Sequence, residues 1–287
     1  MKNIVKIKCP AKINLTLEVV NKREDGFHNI KSIMQMISLY DYLTISLKES
    51  NENKILLSGT SNQIPYDEKN LVYKAVELYL STAGIKNLCV DVYIEKNIPI
   101  AAGLAGGSTD AAGVIYGLNY LLKNFDSVGL NDLCAQLGSD LNVCLNGGCV
   151  LATSRGEVTQ QLPVITSPVT LIKPKNLGIS AGEAYKKYAA KEIKPQNNMT
   201  EKMIEALGSG ADIKQYLYND LEYAVFEDYE ELQKIKRSYP EAVMSGSGST
   251  FFILDKFESL STGDNYLIFN DLHFVNHGVD LAESKVL

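Results

Sequence analysis

The residues best suited to chemistry lie between Pro99 and Gly113, in the run PIAAGLAGGSTDAAG, which holds four glycines, no lysine and one carboxylate. A glycine-rich turn that opens a helix lets main-chain N–H groups converge on a phosphate. No Cβ blocks the approach, and the helix adds the positive end of its dipole. Gly103, Gly106 and Gly107 have suitable spacing, and the small hydroxyls of Ser108 and Thr109 can donate to phosphate or stand beside a magnesium ion. Two familiar templates fail. GxxxxGK[ST] lacks its lysine, and GxGxxG fails both here and in GSGSTF, where Phe251 stands in place of the third glycine. The protein-kinase signatures HRD and DFG are absent. The bland reading of the run is a turn that allows tight helix–strand packing.

Phosphoryl transfer to an alcohol needs a carboxylate near the hydroxyl and a cation near the moving phosphoryl group. Lys12 and Asp140 would make such a pair. Lys12 shares the polar side of an alternating strand with Asn14, where a lysine is otherwise simply solvated. Asp140 follows Gly138-Ser139 at a helix end, where an aspartate is either a cap or a base. Phe27-His28, behind Gly26, is either a surface pair or a device that stacks on a flat heterocycle and hydrogen-bonds it. His273 and His277 stand four apart without an acidic third ligand at metal spacing, so they are read as structural and no metal site is predicted.

These groups must be positioned by a mixed set of elements. Ile13, Leu15, Leu17 and Val19 alternate with Asn14, Thr16 and Glu18, which predicts a half-buried strand. A turn around Gly26 leads to a second extended run. NLVYKAVELYLSTAG has helical spacing and stops at Gly84, and Val90, Val92 and Ile94 mark a strand running into the glycine loop. Behind the loop, Ala111, Ala112, Ile115 and Leu118 lie on one helical stripe that Ser108, Thr109 or Asp110 can cap. NDLCAQLGSD reads as a short helix, and LNVCLNGGCVLAT as a hairpin turning at Gly147-Gly148. From about residue 160 the pattern restarts with strand VTLIKP, helix AGEAYKKYAAKE, helical IKQYLYNDLEYAVFEDYEELQKIKR and the extended AVMSGSGSTFFIL. The arrangement predicts an α+β protein of two domains, 1–160 and 161–287.

The chain has 287 residues and a net charge of −6, which argues against a nucleic-acid partner. Five cysteines without a disulfide rhythm, and no apolar run near the ~18 residues of a membrane span, predict a cytoplasmic protein off the membrane.

PIAAGLAGGSTDAAG resembles the central motif of the GHMP kinases, the family of galactokinase, homoserine kinase, mevalonate kinase and phosphomevalonate kinase. CPAKINLTLEVVNKREDGFH, NLVYKAVELY, LGSDLNVCLNGG, RGE, NDLE and SGSGSTFF extend the resemblance in order from residue 9 to about 253. Within the family they point to the branch whose substrate is a cytidyl diphosphate sugar alcohol. The resemblance implies a ribosomal-S5-like N-terminal domain, a ferredoxin-like C-terminal domain and a site between them. It also implies ATP with Mg²⁺, and transfer to the tertiary 2-hydroxyl of the alcohol in non-mevalonate isoprenoid synthesis, by a monomer or homodimer. Asp140 matches the general base and Lys12 its cationic partner. Asn14, Phe27, His28, Tyr185, Gly246, Ser247 and Gly248 match substrate-binding positions. Asn70, Lys96, Pro99, Gly103, Leu104, Ala105, Gly106, Gly107, Ser108 and Thr109 fall where the family holds ATP. Leu141-Asn142, Ala181 and Ser249 depart from the usual Val-Pro, threonine and proline. The alternatives are another small-molecule GHMP kinase, of homoserine or mevalonate type, and a catalytically inactive metabolite sensor. The cytosine-reading EDGFH disfavours the first, and intact Lys12 and Asp140 the second.

Overall fold

A computed structural model describes residues 3–191, 198–257 and 265–282. Its spine is one long antiparallel hairpin, β1 (Ile4–Lys22) and β2 (His28–Glu49), closed by the turn at Gly26. β1 is not half-exposed as the alternation predicts: from Cys9 to Val19 both faces are buried. Its apolar side chains feed three cores in turn, Ile7 and Cys9 the first, Ala11, Ile13 and Leu15 the second, Leu17 and Val19 the third. Its polar side chains meet the C-terminal half rather than water. Thr200 Oγ1 donates to Thr16 Oγ1, and the N–H groups of Met199 and Thr200 donate to the Glu18 carboxylate.

The N-terminal half continues with β3 (Lys54–Gly59), α1 (Leu71–Thr82), β4 (Leu88–Glu95), α2 (Gly106–Leu122), α3 (Ser127–Leu137), α4 (Leu141–Asn146), β5 (Cys149–Ser154) and β6 (Val158–Leu162). The C-terminal half adds β7 (Pro168–Pro174), α5 (Ala181–Ala190), α6 (Met199–Ser209), β8 (Tyr218–Asn219), α7 (Asp220–Val225) and α8 (Glu230–Ser238). It ends with β9 (Val243–Met244), β10 (Phe251–Ile253), β11 (Tyr266–His273) and β12 (Asp280–Leu281). One sheet runs β12-β1-β2-β4-β3, with β5 and β6 extending from β2 and β8 joining β1. The second runs β11-β7-β10-β9. No described helix is long and apolar enough to cross a membrane.

α2 sits down hard on the first sheet. A Cβ on Gly113 would stand 2.4 Å from Cys9 Sγ, and one on Gly117 2.4 Å from Ile45 Cδ1. Those two glycines permit a contact that interior packing density leaves no other way to make.

Three local expectations are corrected. LNVCLN is not the arm of a hairpin but helix α4: its alternation reads as period two, yet Leu141 to Cys144 are all buried, so packing on every side decides the conformation. The expected long helix after Ile213 is broken at Tyr218–Asn219, which pair with Thr16–Leu17 of β1, and Asn219 caps α7 by accepting from Leu221 N. None of Ser108, Thr109 and Asp110 caps α2; the cap position is Ala105, in the left-handed region at φ 58° and without a side-chain bond.

Candidate active site

A cleft of about 700 Å³ lies between the hairpin, the glycine loop, the α3–α4 junction, α5 and the β9–β10 turn. It gathers Lys12, Asn14, Phe27, His28, Gly103, Ala105, Ser108, Asp140, Tyr185, Gly246 and Ser247.

The polar face of β1 builds its floor. Lys12 is buried, and its Nζ donates to Asn14 Oδ1 at 2.7 Å and to the Gly103 carbonyl at 3.2 Å, with Asp140 Oδ2 at 3.8 Å. Asn14 is fixed in turn: its Nδ2 donates to Ser32 Oγ at 2.8 Å, and its main-chain N–H to Ser245 Oγ at 3.3 Å. Asp140 occupies the cap position of α4 but accepts no hydrogen bond from that helix, so its carboxylate is left facing Lys12 and the cleft. Gly246 closes the knot. A Cβ there would lie 3.2 Å from Lys12 Nζ and 3.3 Å from Asn14 Oδ1. Asn219 holds this turn by donating to the carbonyls of Met244 (2.6 Å) and Gly246 (2.8 Å).

The glycine loop presents its two sides differently. The Ala102 carbonyl accepts from Thr250 N, the Gly103 carbonyl from Lys12 Nζ and Ser245 Oγ, and the Leu104 carbonyl from Lys12 N. Among the described residues, the N–H groups from Gly103 to Ser108 have no such partner. Carbonyls tied to the frame and amides left over are the arrangement that suits an anion. Gly103 is required twice: φ is +73°, and a Cβ would fall 2.0 Å from the Ser245 carbonyl oxygen.

At the far end the His28 and Tyr185 rings stack, centroids 5.2 Å apart and planes 15° from parallel. Burial, then the nearby charge of Lys22, lowers the His28 pKa, which favours the neutral imidazole. Phe27, 54% exposed, carries the Arg155 guanidinium 5.2 Å over its ring. The turn that places both is braced from two sides. Arg23 Nε donates to Asp25 at 3.0 Å, and Arg23 Nη1 to Asn29 Oδ1 and Ser154 Oγ. Glu157 accepts from Ser154 Oγ and Arg155 N.

Asn70, Lys96, Pro99, Leu104, Gly106, Gly107, Thr109 and Gly248 do not line this cleft. Asn70 is the cap of α1, and its amide also donates to the Pro65 carbonyl. Lys96 is locked beneath the loop, its Nζ paired with Asp41 and, at 2.8 Å, with Asp110. Burial opposes its charge, but the Asp110 and Asp41 carboxylates override that and raise its pKa. Thr109 is fully buried, its hydroxyl turned to the interior beside Cys144 rather than to a phosphate. His273 bonds Ser38 and His277 stacks on Tyr40, away from the cleft. Sequence reasoning missed Lys22, Arg155 and Lys186, which line the aromatic end. RGE carries one of them, and the hairpin register Lys22↔His28 another.

The glycine cradle, the cation–carboxylate pair and the two-sheet scaffold define a GHMP kinase. The family model described as GHMP kinases N terminal domain matches residues 70–151. The fold agrees with the crystal structure of a homoserine kinase from Cytophaga hutchinsonii at TM-score 0.76, 19% identity and 98% coverage of both chains. Nearer relatives narrow the class. The chain is 41% identical to a 4-diphosphocytidyl-2-C-methyl-D-erythritol kinase of Bacillus pumilus, covering 88% of each, and 37% identical to one of Caldicellulosiruptor saccharolyticus, covering 92% of this chain and 93% of that one. A solved 4-(cytidine 5'-diphospho)-2C-methyl-D-erythritol kinase matches at 32% identity and TM-score 0.71, over 87% of this chain and 89% of that one. The chain belongs to the 4-diphosphocytidyl-2-C-methyl-D-erythritol kinase family.

Proposed function

We propose that the protein transfers the γ-phosphoryl group of ATP to the 2-hydroxyl of 4-diphosphocytidyl-2-C-methyl-D-erythritol, giving the 2-phosphate and ADP in isoprenoid precursor synthesis. The observation that carries this reading is one cleft that joins an anion cradle, the Lys12–Asp140 pair and a set of stacking rings. Asp140 Oδ2 accepts the hydroxyl proton as the alcohol oxygen bonds to phosphorus. The Lys12 ammonium and the amides of Gly103 to Ser108 hold the charge on the phosphoryl oxygens, which is electrostatic positioning with little covalent work for the protein. Phe27, His28 and Tyr185 take the cytosine, while Asn14, Gly246, Ser247 and Gly248 shape the alcohol end. Of the nucleotide residues, the amides from Gly103 to Ser108 carry the triphosphate, and Pro99 and Thr109 frame that loop. Asn70 and Lys96 act through the backbone they hold.

Mg²⁺ fits a limited donor set. Among the described residues no cluster of three or more metal-ligating side chains exists, and Asp140 is the one carboxylate lining the cleft. Such a site suits an ion held mainly by phosphate oxygens and water, with Ser108 and Asp140 as the protein oxygens within the cleft. Bound there, Mg²⁺ would neutralise triphosphate charge.

The second sheet, with α5, α7 and α8 packed on Ile172, Phe251 and Ile253, supports a ferredoxin-like lobe for 161–287 beside an S5-like lobe for 1–160. Five free cysteines, four of them buried, suit the reducing cytoplasm.

The test is ADP release from magnesium-ATP with the cytidyl substrate, homoserine or mevalonate offered separately. Turnover confined to the cytidyl substrate is expected. Turnover with homoserine or mevalonate alone overturns the substrate, and ATP binding without any turnover overturns the enzyme.

A further inference from the structure

The base-reading end of the cleft is cationic in a protein with 34 acidic and 28 basic side chains. Each of the two stacked rings has a lysine beside it. Lys22 stands opposite His28 in the hairpin register, and Lys186 follows Tyr185 on α5. Both line the cleft. Neither has a carboxylate within ion-pair distance among the described residues, although the next residue on α5, Lys187, is paired with Glu183 at 3.0 Å and Asp228 at 3.1 Å. Among the described residues Asp140 is the one carboxylate lining the cleft, and it is paired with Lys12. Arg155 is already engaged over Phe27 and with Glu157.

Exposed lysines left unpaired beside a binding slot are a standing attraction for an anion, and their long stems let two ammonium groups close on it. We infer that Lys22 and Lys186 grip the diphosphate of the substrate, so that the cleft selects a nucleoside diphosphate ester over a nucleoside. Arg155 is a positioning residue that braces Phe27 from one face. This rests on the proposed reading that the rings take cytosine. The order of groups that follows is the base against Phe27, His28 and Tyr185, the diphosphate beside Lys22 and Lys186, and the alcohol chain at Lys12 and Asp140.

The experiment is calorimetric titration of the full chain with cytidine, with CDP and with ATP, for wild type, Lys22→Gln, Lys186→Gln and Lys186→Arg. CDP is expected to bind wild type more tightly than cytidine, with the gain shrinking as salt rises. Each glutamine variant should lose about three- to tenfold in CDP affinity, the range of one exposed charge-assisted contact, with cytidine affinity unchanged. Lys186→Arg should retain most of the CDP affinity, which a merely structural role would not explain. Cytidine binding with no gain for CDP, or glutamine variants that bind CDP as wild type does, overturns the clamp and leaves the base-reading intact. A loss of ATP affinity instead of CDP affinity assigns the lysines to the other nucleotide and also overturns it. Failure of wild type to bind either cytidine or CDP overturns the base-reading itself, and the clamp with it.

Discussion

Replacing Asp140 with asparagine removes one charge and almost nothing else. The side chain sits where an aspartate would cap α4, but it makes no cap bond, and its recorded partner is Lys12 Nζ at 3.8 Å. Lys12 keeps its bonds to Asn14 and Gly103 in the variant, so no buried acceptor is orphaned. At 3.8 Å two unit charges attract by about 4 kcal/mol at an effective dielectric of about 20 and about 1 kcal/mol in water. With the carboxylate 31% exposed, the solvent-screened end applies, and the stability cost is about 1 kcal/mol or less. The chemical step is another matter. A positioned general base contributes about 10²–10⁴ in rate, or about 2.7–5.4 kcal/mol of barrier. Asp140→Asn should therefore lower kcat by that factor, with KM for both substrates moved much less and the melting temperature nearly unchanged. Steady-state ADP release beside thermal denaturation measures both. A kcat within tenfold of wild type would refute the base, and a kcat loss matched by a large fall in melting temperature would refute the separation of chemistry from fold.

Phe27→Ala should raise KM for the cytidyl substrate about five- to tenfold, the low end of ~1–3 kcal/mol per stacked base because the ring is half exposed, and leave KM for ATP alone; equal effects on both would contradict base stacking. Lys96→Met leaves Asp41 and Asp110 buried without their cation, a change that costs about 3–5 kcal/mol elsewhere, so urea midpoints should fall steeply, and an unaltered midpoint would deny the triad its role. Gly103→Ala should lose fold and activity, since its Cβ has no room, whereas Gly107→Ala, whose Cβ meets no protein atom within 4 Å, should keep the fold; the reverse order in thermal melts would discredit the loop geometry. Stability should fall from about pH 9 upward, because burial pushes the Cys134 and Cys149 thiols up to about 12 and raises Cys9 and Cys144 as well. In that window the unfolded chain holds fewer protons than the folded one, so each thiol removes about 1.4 kcal/mol per pH unit; Lys173, lowered to about 8 by burial, opposes them with one proton against four. Urea midpoints at pH 8 and pH 10 that coincide would show the thiols are not sealed in.

Much of the cradle was legible because a phosphate loop needs glycines and small hydroxyls in a row, and a row is what a sequence displays. Lys12 and Asp140 are far apart in the chain; the chemistry of phosphoryl transfer suggested them as a pair, and the family resemblance gave them roles. Spacing alone left open a solvated lysine and a cap. The structure removes both bland readings for a shared reason. β1 is covered on its polar side by the β9–β10 turn and by α6, which buries Lys12 among fixed partners, and α4 forms without drawing on the Asp140 carboxylate. α4 itself was illegible, since four consecutive buried residues have no face to show in a periodicity. Lys22 was legible in principle, by counting back from the turn to the residue opposite His28. Lys186 was not, because only the docking of α5 brings it to the cleft.

The loop's missing lysine can now be accounted for. Lys96 lies directly behind it, close enough that a Cβ on Gly106 would stand 3.1 Å from its Nζ. Yet two carboxylates claim that ammonium, so the cluster has no net positive charge to offer a triphosphate. Asp41 spends its other oxygen on the N–H groups of Asn97 (2.6 Å) and Ile98 (2.9 Å), at the start of the loop, while Asp110 belongs to the first turns of α2 at its end. Lys96 thus ties the two ends of the loop together and sets the direction of its amides. In the proposed reading, the positive potential at the phosphates comes from those amides and from Lys12, which arrives from a different element. A loop lysine, as in GxxxxGK[ST], combines positioning and charge in one side chain. On the proposed function the two jobs are divided here, and that division is how a run with four glycines and no lysine would serve as a phosphate site.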